Sequence, residues 1–165
     1  MIQEALLTWR YIDTESNLIM PWYAKSCLEW LKQQDLKSWH VFEYGAGYST
    51  IWWRLNSGLT KSIEHNDSWA KAMGAESHPD QENYVKSTKA GEFYDCIIVD
   101  GEWREECVVF ARNYVKHGGY LIFDNYGQPE FTPVEIIDAL LQGWEKQVFR
   151  QYNHTNWSTA VFKRP

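Results

Sequence analysis

The sequence predicts an α/β protein built on a mainly parallel sheet, and three observations carry that prediction. Strand-like and helix-like segments alternate along the chain, as crossovers between parallel strands require. The stretch Y-D-C-I-I-V at 94–99 is an apolar run of the kind shown by a parallel strand covered on both faces. The stretch V-F-E-Y-G-A-G-Y-S-T at 41–50 joins an apolar run to an acid, two alternate glycines and a helical pattern, which reads as a strand, a tight turn and a helix start.

The elements follow in order. Pro21 and the W-Y-A-K-S-C-L-E-W-L-K after it have apolar residues at helical spacing and a proline suited to a first turn, predicting a helix over 21–34. A strand at 39–44 leads to a helix at 49–56, capped by Ser49 or Thr50 and ending near Ser57-Gly58. K-S-I-E-H forms a second strand ending in Glu64, and Asp67 caps a short helix through Ala75. Between 78 and 92 the pattern is weak, with one edge strand at 83–87. The strand at 94–99 ends in Asp100-Gly101, and a helix over 103–116 places His117 at its C-terminal end and Gly118-Gly119 as its stop. A strand at 120–123 ends in Asp124-Asn125, a helix covers 133–141, and strands at 144–152 and 157–163 form a closing hairpin.

At 165 residues, with no Pro/Gly/Ser-rich linker or shift of composition, the chain is expected to form one domain over 1–165, with 1–20 as an N-terminal extension. The net charge of −6 offers no basic field for a phosphate backbone, so a small molecule is expected as partner rather than nucleic acid. The first residues have neither a basic segment nor a long apolar core, and no stretch approaches a membrane span, which predicts a cytoplasmic protein. Cys27, Cys96 and Cys107 are odd in number and lack C-x-x-C spacing, against both a disulfide framework and structural zinc. Ten tryptophans supply much buried area for this length, and some can wall a ligand pocket. Exposed aromatics on a bare domain also suggest a homodimer.

Parallel sheets bind ligands at the carboxyl ends of their strands, and here those ends carry Glu43, Glu64, Asp100 and Asp124-Asn125. A dinucleotide fingerprint asks for a third glycine where this chain has Thr50, which disfavours a nicotinamide cofactor. Glu43, two residues before Gly45, suits a ligand with positive charge better than a pyrophosphate, which it would repel. S-adenosylmethionine carries such charge on its amine and its sulfonium.

With these residues in view, the chain resembles the class I S-adenosylmethionine-dependent methyltransferases from Pro21 to Arg164. E-Y-G-A-G-Y-S-T resembles the family's first motif, E/D-x-G-x-G, and S-I-E-H-N its second, whose acid accepts hydrogen bonds from the ribose hydroxyls. Glu64 falls 19 residues after Gly45, close to the spacing of a ribose-binding acid. More narrowly, P-W-Y-A, I-I-V-D-G with Arg104 and Cys107, G-G-Y-L-I-F-D-N-Y and S-T-A-V-F resemble a group of compact bacterial methyltransferase-like proteins. The resemblance implies a Rossmann-like methyltransferase fold with strand order 3-2-1-4-5-7-6, the last strand antiparallel. It implies S-adenosylmethionine as cofactor, held by Glu43, Gly45, Gly47, Ser49, Thr50, Glu64 and His65. The span between Ser87 and Tyr94 is too short for the helix that usually separates strands three and four. Asp100, Asp124 and Asn125 also resemble the metal-holding residues of the catechol and caffeoyl-CoA O-methyltransferases, which implies Mg2+.

The expected reaction is methyl transfer to an oxygen or nitrogen of a small molecule. The alternatives are another S-adenosylmethionine-using enzyme, such as a lyase or aminopropyl transferase, and a non-catalytic binding module. Asp100 is the candidate to take or orient the acceptor's proton, or else it caps the helix after Gly101. Asp124 and Asn125 hold a metal or hydrogen-bond their own loop. Arg104 binds an anionic substrate or pairs with a nearby acid. Tyr126 and His154, in loops on the same edge, are candidate substrate contacts.

Overall fold

Short apolar runs, buried almost continuously along β3 and β6, organise the chain into a sheet covered on both faces. The computed structural model describes residues 12–13, 18–88, 91–128, 130–151 and 157–165. A short antiparallel pair, β1 (Ile12–Asp13) and β2 (Leu18–Ile19), precedes α1 (Lys25–Leu31) and a 3-10 turn at Leu36–Ser38. There follow β3 (His40–Tyr44), α2 (Tyr48–Asn56), β4 (Leu59–Glu64), α3 (Asp67–Met73), β5 (Glu76–Ser77) and α4 (Gln81–Val85). The chain continues through β6 (Tyr94–Val99), α5 (Arg104–Ala111), β7 (Val115–Asp124), α6 (Val134–Leu140), β8 (Glu145–Gln151) and β9 (Trp157–Lys163).

Among the described residues β3 to β9 form a seven-stranded sheet in the order β5-β4-β3-β6-β7-β9-β8, or 3-2-1-4-5-7-6 counted within the sheet. Pairing is parallel from β5 through β7, and β9 runs antiparallel to both its neighbours. This is the expected Rossmann-like topology. Side chains alternate between the faces, as the strand period requires. Val41, Cys96, Ile98, Ile122 and Val161 pack with Cys27, Leu28 and Leu31 of α1 and Trp52 and Trp53 of α2. Phe42, Tyr44, Ile97, Val99, Leu121, Phe123, Ala160 and Phe162 pack with Cys107, Val108 and Ala111 of α5 and Ile137 of α6. Each buried Val, Leu, Ile or Phe among them contributes about 1.5–3 kcal/mol, so the two layers fix the register that aligns the strand ends. The three cysteines are buried, free thiols. No helix among the described residues is long and apolar enough to cross a membrane.

Four local expectations are corrected. The helix predicted over 21–34 is only Lys25–Leu31, because Ala24 is held extended at ψ 135° with its N–H donated to Thr159 Oγ1 at 3.0 Å. The edge strand predicted at 83–87 is α4, started by Asp80, whose carboxylate accepts from Asn83 N at 2.9 Å; this cap outweighs the weak alternation. It also supplies a one-turn helix between the third and fourth strands of the sheet, upstream of the span from which the sequence excluded one. The cap of α3 is Asn66, which accepts from Trp69 N at 3.0 Å, while Asp67 sits in the first turn and accepts from Ser77. Finally, the helix predicted to reach Lys116 gives way at Ala111 to a 3-10 turn, and Gly118-Gly119 lie within β7. Buried Val115 already pairs with Tyr94, and the register shifts before Cys96 meets Tyr120.

Gly45 and Gly47 separate two jobs. Gly45 has φ +90°, and a Cβ there would stand 2.6 Å from Gly101 Cα, so the turns after β3 and β6 touch backbone to backbone. Gly47 is extended, and a Cβ there meets nothing within 4 Å. Urea denaturation of Gly45→Ala is expected to show a loss of about 2–4 kcal/mol, combining left-handed strain with overpacking. Gly47→Ala is expected to lose less than about 1 kcal/mol, the cost of a poorer helix cap.

Candidate functional site

The turn after β3 is built around a buried carboxylate. Glu43 is fully enclosed: its Oε1 accepts from Ser49 Oγ, and its Oε2 accepts from Thr50 Oγ1 at 2.6 Å and Ser62 Oγ at 2.7 Å. Ser49 and Thr50 therefore serve this acid, and Gly47 is the helix N-cap in their place, its N–H donating to Thr50 Oγ1 at 3.0 Å. Burial pushes the Glu43 carboxyl up to about 7, against the pull of the three hydroxyls.

Glu64, at the end of β4, ties this turn to the next. Its Oε2 accepts from Ala46 N at 3.1 Å and its Oε1 from Asn66 N at 2.9 Å, so one buried carboxylate spans both loops. Trp69 Nε1 donates to Ala46 O at 2.6 Å, closing the same bridge from α3. His65 Nδ1 lies 2.8 Å from Glu64 Oε1, and its ring meets Trp103 and Tyr84 edge-on.

On the other side of Gly45, the ends of β6 and β7 are joined by Arg104. Its Nε donates to Gly101 O at 2.8 Å, Nη1 to Asp124 O at 2.8 Å and Asn125 Oδ1 at 3.1 Å, and Nη2 to Asp100 O and Oδ1, both at 3.1 Å. The residue is buried, with its guanidinium 4.3 Å from the Phe131 ring centroid. Among the described residues, Trp103 and Asn125 are the two non-glycine residues with positive φ, at 48° and 55°. Strain at such positions persists where surrounding contacts enforce it, and here both flank the Arg104 network. Asp100 does not cap α5, whose N-cap is Trp103. Burial raises the Asp100 carboxyl, while Arg104 opposes the rise. Asp124 is raised further, by burial and then by the charge of Asp100, although Thr159 Oγ1 donates to its Oδ1 at 2.6 Å.

These strand ends open on a cavity of about 1070 Å³. Of the residues singled out from sequence, Gly45, Gly47, Ser49, Glu64, His65, Asp100, Arg104, Asp124 and Asn125 line it. Glu43 and Thr50 lie buried behind its wall. Tyr126 points elsewhere: it packs on Phe123 and Phe162 and donates to Asp138 Oδ1 at 2.7 Å. His154 lies outside the described residues. Sequence reasoning missed Trp22, Tyr48, Asn66, Trp69, Glu102 and Phe131 on the wall. Asn66 and Trp69 follow the second-motif acid and were within reach of the strand-end rule; Trp22 comes from before the first strand of the sheet, where that rule says nothing.

Between pH 4.5 and about 7 the folded chain keeps a proton on Glu43 that the unfolded chain has released. The Glu43 contribution to stability therefore falls as pH rises through that window and levels off above it, amounting to about 3 kcal/mol. Urea titrations from pH 5 to 8 are expected to show this decline in the native chain and a flatter profile in Glu43→Gln.

No protein-family model matches the chain, and no curated protein matches it. Solved structures do. A putative caffeoyl-CoA O-methyltransferase from Staphylococcus aureus is 14% identical, with 88% of this chain and 86% of that one covered at a TM-score of 0.64. The O-methyltransferase TomG from Streptomyces achromogenes, solved in complex with SAM, is 17% identical over 84% and 78% at 0.63. The N-methyltransferase NodS from Bradyrhizobium japonicum WM9, solved in complex with S-adenosyl-L-homocysteine, is 11% identical over 86% and 87% at 0.58. Likeness at this level of identity speaks for architecture, and together with the strand order it establishes that the chain has the class I S-adenosylmethionine-dependent methyltransferase fold, similar to that of the caffeoyl-CoA-type O-methyltransferases.

Proposed function

We propose that the chain is an S-adenosylmethionine-dependent methyltransferase, one cofactor-binding domain acting on an oxygen or nitrogen of a small molecule. The observation that carries this reading is Glu64, a carboxylate on the cavity wall with one backbone N–H on each oxygen. His65 Nδ1, 2.8 Å from Oε1, makes no hydrogen bond there, so each oxygen keeps lone-pair capacity for a second donor, which suits the two hydroxyls of a ribose. Complexes of similarly folded proteins with S-adenosylmethionine and S-adenosylhomocysteine support the same choice of ligand.

In this reading His65 and Asn66 flank the adenine side of Glu64, while Gly45, Gly47 and Ser49 line the amino-acid side. Gly47 leaves open space where a Cβ would stand. Glu43 and Thr50 act from behind, fixing Ser49 and the Gly47 N–H. The bound cofactor supplies a methyl group on a sulfonium. The wall suits that positive charge: Glu64, Asp100, Glu102 and Asp124 line the cavity, and Arg104, the one Lys or Arg lining it among the described residues, donates all its N–H groups to protein oxygens. Asp100, 24% exposed, faces the acceptor and takes or orients its proton as the new bond forms. The remaining work is positioning two reactants and excluding water.

Incubation with S-adenosylmethionine and a panel of phenols and amines, analysed by mass spectrometry, is expected to give S-adenosylhomocysteine together with a methylated product. Glu64→Gln is expected to weaken S-adenosylhomocysteine binding by about 1–3 kcal/mol in calorimetric titration. Methylthioadenosine without any methylated product would contradict the reaction, and unchanged affinity would remove Glu64 from the site.

A further inference from the structure

We infer that Arg104 occupies the seat that a divalent cation would take between the ends of β6 and β7, so that the cation of this site is a side chain. A guanidinium has five N–H donors and no acceptor. All five are used here, on Gly101 O, Asp124 O, Asn125 Oδ1, Asp100 O and Asp100 Oδ1, at 2.8–3.1 Å. A hard divalent ion seeks oxygens of this kind, carboxylate and amide side chains together with backbone carbonyls. The oxygens of Asp100 and Asn125 that would bind it therefore already face a fixed positive charge.

The third candidate ligand is engaged as well. Asp124 Oδ1 accepts from Thr159 Oγ1 at 2.6 Å, and the same hydroxyl accepts from Ala24 N at 3.0 Å, a chain running through three elements. An entering metal would have to displace two sets of donors and stand beside the guanidinium. Arg104 cannot readily swing aside, since it is buried and lies over the Phe131 ring. The donor set thus does not fit Mg2+ in this chain, and that corrects the magnesium expectation. Arg104 is a positioning residue: it holds Asp100 toward the cavity. With no N–H left for an incoming anion, Arg104 offers no hydrogen bond to a carboxylate or phosphate on the acceptor.

Manganese titration followed by electron paramagnetic resonance tests this without reference to any methyl transfer. The native chain is expected to leave Mn2+ free up to millimolar concentration. Arg104→Met keeps an apolar stem over Phe131 and removes the charge; it is expected to bind Mn2+ at least tenfold more tightly, and adding Asp100→Asn is expected to abolish the gain. If Arg104→Met does not fold, Arg104→Gln serves in its place, and the native titration stands on its own. Mn2+ binding to the native chain below about 100 μM that is lost in Asp100→Asn would overturn the inference. So would a folded Arg104 variant with no gain in Mn2+ affinity, because the seat would then not exist.

Discussion

The carboxyl edge of the sheet is arranged around a surplus of buried carboxyl groups. Glu43 and Asp124 are almost wholly enclosed, Asp100 is largely so, and among the described residues Arg104 is the single cation bonded into the cluster. Burial raises all three carboxyls, and Asp100 adds to the rise at both of the others. Such a cluster has two ways to reach neutrality: protons, or a positively charged ligand. The hydroxyls of Ser49, Thr50, Ser62 and Thr159 make the acids tolerable without neutralising them. An edge so prepared is suited to a sulfonium and unsuited to a pyrophosphate.

The same constraint explains why the turns fit so tightly. Gly45 and Gly101 touch, Glu64 accepts N–H groups from two loops, and Arg104 accounts for every donor it owns. A ligand therefore meets a wall whose polar groups are already aimed, which lowers the cost of ordering them on binding. The two layers of apolar side chains, alternating along β3, β6 and β7, hold those turns in register from below.

Much of this was legible in the sequence, for reasons that differ by residue. Strand ends could be read because each apolar run stops at an acid, at Glu43, Glu64, Asp100 and Asp124. The parallel order followed from the resemblance and from the closing hairpin. What could not be read was contact across the sheet. That Glu43 turns away from the cavity depends on Ser62, 19 residues later on β4. That Arg104 pairs with acids rather than awaiting an anion depends on β7 ending beside it. The misread stretches at 83–87 and 112–119 are places where a cap or a strand pairing overrode local periodicity, and at 21–24 a hydrogen bond to Thr159 did so.

In the proposed function, Glu64 and the Gly45–Gly47 turn hold a nucleoside whose sulfur faces Asp100. A crystal structure of the chain with S-adenosylhomocysteine tests it most directly. Both ribose hydroxyls are expected within hydrogen-bond distance of the Glu64 carboxylate, with the amino-acid portion along the glycine turn and Arg104 still bonded to Asp100 and Asn125. A ligand seated elsewhere, or a ribose with no contact to Glu64, would contradict it.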